Sequence, residues 1–231
     1  MRRIWITLLL VLCTNGSGVT ALLVAPVIID ANGVQVGDRF PVTVHNVGSV
    51  SHEVVVSWGW FDQDLNGQVV LLSQDERRET AEDYLVVTPS KLELQPQDKQ
   101  TLWIAVHNND FEAIYPVLFI DLPAATVSSR LAVLLLLTPH LIESELEVLM
   151  SEWLPEEVVV WVHNSVETHQ SFQVTVEAYD QTGKRLDGFE LPVNRILPQR
   201  SRWISIPISP GVQRLQITGN CIPSGVIELV Q

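Results

Sequence analysis

A short pattern occurs twice in this chain, and its spacing limits what the chain can fold into. Val44-His45-Asn46 is followed by Phe61-Asp62-Gln63, and Val162-His163-Asn164 by Tyr179-Asp180-Gln181, with the same Asn-to-Asp spacing in both copies. Downstream, Leu94-Gln95-Pro96-Gln97 precedes Trp103-Ile104, and Leu197-Pro198-Gln199 precedes Trp203-Ile204. A repeat of roughly 100 residues is longer than a solenoid unit and matches one compact domain. The 231 residues therefore read as one β-module used twice.

Strand signals fill both copies. Leu23–Ile29, Phe40–Val44 and Glu53–Phe61 come first, the last with Val54, Val56, Trp58 and Trp60 on one face. Asp64-Leu65-Asn66-Gly67 is a hairpin signal. Val69–Leu72, Tyr84–Val87, Leu102–Val106, Tyr115–Asp121 and Leu131–Leu137 complete the first module. The second opens on an alternation: Ile142, Ser144, Leu146, Val148 and Met150 on one side, Glu143, Glu145 and Glu147 on the other. The glutamates also suit a helix over Leu141–Trp153, but a period of two marks a strand. Val158–Val162, Phe172–Tyr179, Phe189–Val193, Trp203–Ile208, Leu215–Thr218 and Val226–Val230 follow. About eight short strands with turn signals between them is sandwich spacing. The fold class is all-β, two tandem antiparallel sandwiches.

The N-terminus has the form of a secretory signal: Arg2 and Arg3, an apolar run from Ile4 to Cys13, and a small-residue ending at Val19-Thr20-Ala21. Cleavage after Ala21 is expected, giving a signal at 1–21 and modules at 22–139 and 140–231. The apolar run is too short to anchor in a bilayer, so no membrane insertion is expected once it is removed. Lipidation of Cys13 is the competing reading, with Leu12 where a small residue is expected. Cleavage leaves Cys221 as the one remaining cysteine, so no internal disulfide forms. Cys221 reads as a buried thiol or an intermolecular link. The net charge of −13 excludes nucleic acid and anionic lipid as partners and otherwise serves solubility.

Catalytic motifs are absent: there is no phosphate loop, His-Glu-x-x-His helix, nucleophile elbow or CxxC. The chain reads as a non-enzyme with no cofactor and no metal. A metal site from His45, His52, His163 and His169 would need the modules to meet at those strands. Asp62-x-Asp64-x-Asn66-Gly67 resembles the start of a calcium loop, but Ser73 stands where a bidentate Glu belongs, and a hairpin turn already explains Asn66-Gly67. Seven tryptophans raise carbohydrate binding as an alternative, against a packing role for Trp58 and Trp60 and for the paired Trp103 and Trp203.

The segment Leu131-Ala132-Val133-Leu134-Leu135-Leu136-Leu137 is apolar on both faces, whereas a sandwich strand normally wets one. Either the protein covers the second face, or a partner chain pairs with the strand, since a bare apolar edge invites aggregation.

The run from Tyr84 to Ile104 carries a resemblance. An apolar strand leads to Pro89, an apolar pair (Leu92, Leu94) to Pro96, and Gln100 precedes the strand at Leu102. Tyr115–Asp121 and Leu131–Pro139 follow in the same order. The chain resembles the PapD-like periplasmic chaperones of pilus assembly over about residues 22–140. The resemblance implies two immunoglobulin-like domains, a periplasmic or otherwise exported location, and a pilin-like or other envelope subunit as client. It implies that the last strand of the first domain is lent to that subunit, with Leu131, Val133, Leu135 and Leu137 as the donated side chains. The family anchors the client's terminal carboxylate with two basic residues, one on the first strand and one on the donor strand. Neither Leu23–Ile29 nor Leu131–Leu137 contains Arg or Lys, and Arg130 is the nearest candidate. A structural or adhesive surface protein built of tandem spacers is the alternative function.

Overall fold

The computed structural model describes residues 9–15, 18–72, 79–122, 129–140, 146–219 and 226–231. Among them are eighteen strands and no α-helix. They run β1 Leu9–Asn15, β2 Gly18–Ala25, β3 Ile28–Asn32, β4 Arg39–Asn46, β5 His52–Gln63, β6 Val69–Leu72, β7 Leu85–Thr88, β8 Lys91–Leu94, β9 Lys99–Val106, β10 Pro116–Leu122 and β11 Ser129–Thr138. Then come β12 Leu146–Trp153, β13 Glu157–Asn164, β14 Gln170–Tyr179, β15 Arg185–Ile196, β16 Ser201–Pro207, β17 Arg214–Thr218 and β18 Val226–Val230. The chain divides into two compact units, Met1–Phe61 with Leu71–Leu141, and Asp62–Val70 with Ile142–Gln231.

The first unit is a sandwich of β1-β2-β4-β9-β7 on β3-β11-β10-β5-β6, with β8 also paired to β5. The second has β12-β13-β16 in one sheet and β15-β14-β17-β18 in the other. Both are immunoglobulin-like, and the sequence repeat is a repeat of strand order: β4-β9 matches β13-β16, and β6-β5-β10-β11 matches β15-β14-β17-β18.

A buried asparagine explains the recurrence of the motif. Asn46 and Asn164 end β4 and β13, and both are fully buried. Asn46 Nδ2 donates to Val50 O (2.7 Å), Leu94 O and Gln95 O, and its Oδ1 accepts from Gly48 N. Asn164 Nδ2 donates to Thr168 O (2.8 Å) and Ile196 O, and its Oδ1 accepts from Val166 N. In each copy the following glutamine, Gln97 or Gln199, takes a left-handed conformation (φ 68° and 55°) and donates its N–H to the asparagine's carbonyl. Backbone groups that would otherwise be buried and unpaired are thereby satisfied.

The second half of the motif has a different basis. Asp64 closes the first hairpin by accepting from Asn66 N and Gln68 N, and Gly67 N donates to its carbonyl. Asp180 does the same with Thr182 N, Lys184 N and Gly183 N. The residue equivalent to Asp180 is thus Asp64, not Asp62, because β5 is two residues longer than β14. Asp64-Leu65-Asn66-Gly67 is a hairpin turn, and among the described residues no three potential metal ligands gather anywhere.

Three local expectations are corrected. Leu23–Ile29 is two strands, because the chain leaves β2 at Ala25-Pro26 and enters the opposite sheet as β3. The alternation in β12 breaks at a bulge between Val148 and Met150, so Val148 packs on the core while Met150 is half exposed. Trp103 does not pack in the core but is 45% exposed, whereas Trp203 stacks on Trp161 with ring centroids 4.6 Å apart. Cys221 and residues 141–145 lie outside the described residues.

Candidate functional site

Strand β11 carries every residue singled out for partner binding. It pairs antiparallel with β10 over Ser129–Leu134, from Leu122↔Ser129 to Val117↔Leu134. On its other side β3 runs parallel to it, but only along Leu134–Thr138. Among the described residues, no strand lies beside Ser129–Val133 on that side.

Hydrogen-bond parity fixes what this edge offers. Leu137 exchanges both backbone bonds with Ile114, on the β10 side, while Leu134 N donates to Val27 O, on the β3 side. Residues of even number along β11 therefore direct N–H and C=O away from β10. The open edge presents the backbone donors and acceptors of Arg130 and Ala132.

Side-chain parity separates the two faces of β11. Leu131, Val133, Leu135 and Leu137 all point into the first unit's own core, and the last three have no exposed surface. The reason is the period of two: β11 is the central strand between β10 and β3, and its odd residues fill the space between the sheets. They hold the strand in place within its own sandwich. The other face carries Arg130, exposed, with Ala132 and Leu134 half-buried. Leu136, next on that face, is itself buried.

Arg130 is held by its own sheet. Its Nε donates to Asp121 Oδ1 (2.6 Å) and its Nη2 to Asp121 Oδ2 (3.1 Å), while Ser57 Oγ donates to Asp121 Oδ2. The guanidinium carbon lies 4.4 Å from the centre of the Phe119 ring. That ring lies close against Gly59, where a Cβ would come within 2.5 Å of it. Hydrogen bonding to Asp121 raises the Arg130 pKa. Where β3 meets β11, the adjacent outward residues are Ile28 and Leu134, with no basic group in either strand there.

No family model matches the sequence, and no curated protein matches it. Solved structures do resemble it in shape. A class 5 fimbriae chaperone, CfaA, is 12% identical with a TM-score of 0.55, and the match covers 91% of this chain and 98% of that one. A chain from a chaperone–tip adhesin complex of CFA/I fimbriae biogenesis is 11% identical with a TM-score of 0.54, covering 91% and 98%. The fold is that of the PapD-like fimbrial chaperones. The similarity extends over both units, whereas the sequence resemblance rested mainly on the first.

Proposed function

We propose that this chain is an exported, non-enzymatic assembly chaperone that binds an envelope or surface-fibre subunit by strand pairing along Ser129–Val133. One observation carries the reading: the backbone of Arg130 and Ala132 faces an open edge on an apolar strand, within a fimbrial-chaperone fold. An edge of this kind adds an incoming strand through main-chain hydrogen bonds, with alternate side chains setting specificity. The structures it resembles are a fimbriae chaperone and a chaperone bound to a tip adhesin, which supports a pilin-like client. The pairing of β2 with β4 begins at Leu22, so a chain cleaved after Ala21 keeps that register intact.

The test is an affinity pull-down from the native envelope with Leu22–Gln231, beside an Ala132→Pro variant. Proline at Ala132 removes one outward N–H without touching the β10 ladder, a placement that edge strands tolerate. A stoichiometric β-rich partner with the parent protein, lost with Ala132→Pro, is the expected result. Equal capture by both proteins would contradict the reading.

A further inference from the structure

The same edge also specifies part of its partner's sequence, an inference that rests on the strand-pairing reading. A strand laid beside Ser129–Val133 meets two kinds of surface. At the far end it abuts β3, where Ile28 and Leu134 face outward with no charge between them. At the near end it meets Arg130, whose side chain is 56% exposed. Arg130 uses Nε and Nη2 on Asp121, so the Nη1 donors make no hydrogen bond in the described structure. Between them Ala132 presents only a methyl group on the outward face, opposite Phe119 in register. In a protein of net charge −13 this cation would otherwise favour nothing but its own carboxylates.

We infer that the partner strand carries an acidic side chain opposite Arg130 and, two positions along on the same face, a bulky apolar side chain opposite Ala132. The acid completes the guanidinium from its unused side, as bidentate-capable arginines do at interfaces. The apolar residue packs over the Ala132 methyl, and the end of the strand that abuts Ile28 and Leu134 is apolar because it meets apolar side chains there.

The test uses short strand peptides, acetylated and amidated, with Asp and Phe two positions apart on one face. An Asn analogue and a Phe→Ala analogue serve as controls, and binding to Leu22–Gln231 is read by fluorescence anisotropy. At low ionic strength the Asp peptide is expected to bind about three- to tenfold tighter than the Asn peptide. That preference is expected to vanish at high salt and in Arg130→Gln, and the Phe→Ala peptide to bind more weakly. Equal affinity for the Asp and Asn peptides, or a preference that survives Arg130→Gln, overturns the inference. Unaltered binding by Ala132→Pro, or no binding of any peptide, overturns the strand-pairing reading instead.

Discussion

Asn46 reaches three carbonyls with one amide and Asn164 reaches two. Replacing either by alanine removes the side-chain donor from carbonyls that include the buried Leu94 O and Ile196 O. Asn46→Ala and Asn164→Ala are expected to cost about 2–4 kcal/mol each, read as a shift in the urea midpoint. His52 makes a second prediction. Its Nε2 is buried without a partner among the described residues, and burial lowers its pKa below 6.5. The unfolded chain therefore takes the proton more readily than the folded one. Its neutral form costs nothing above pH 6.5, and stability falls as pH drops through that value toward the folded pKa. Urea midpoints between neutral and mildly acid pH should fall more steeply for the parent than for His52→Gln. At this scale the sequence was partly legible. The repeated His-Asn pair marked a structural position, but nothing in the letters showed that the asparagine is the residue that ties the neighbouring segments together. The shared Asp62/Asp180 spacing also hid that Asp64 does the work of Asp180, since a strand can lengthen by two residues without changing its face.

Strand β11 reads from sequence as a continuous apolar run, and this is why its parity could not be assigned there: leucine on both faces gives no period. The structure assigns it through Leu137 bonded to Ile114 and Leu134 bonded to Val27. Leu135→Ala should therefore cost about 2–5 kcal/mol as a core truncation. Leu134→Ala, on the outward face, should cost about 1 kcal/mol or less in stability yet weaken partner binding. Thermal unfolding and pull-down on the same two variants separate the faces. Charged substitutions at Val133 or Leu135 would bury an ion and unfold the sandwich, so they say nothing about a partner. The crossing from β2 to β3 was missed by reading Leu23–Ile29 as one strand, although Pro26 inside that run disfavours a single central strand. The β12 bulge falls where the alternation breaks, at the apolar run Val148-Leu149-Met150.

At the scale of the molecule, the repeat and the turn spacing gave two sandwiches, and strand order confirms the relation. What no sequence pattern held was where an edge stays open, since that depends on how far β3, a strand about a hundred residues earlier in the chain, extends along β11. Three features meet in the proposal: the fold of the fimbrial chaperones, the expected cleavage after Ala21, and the open edge at Ser129–Val133. Mass spectrometry of the secreted protein should give a chain starting at Leu22. The most direct measurement is hydrogen exchange at the amides of Arg130, Ala132 and Leu134, in the mature chain alone and saturated with its captured partner. The account predicts fast exchange at Arg130 and Ala132 and slow exchange at Leu134 in the free protein, with the first two becoming protected in the complex. Protection that appears elsewhere while Arg130 and Ala132 stay fast would contradict strand pairing at this edge.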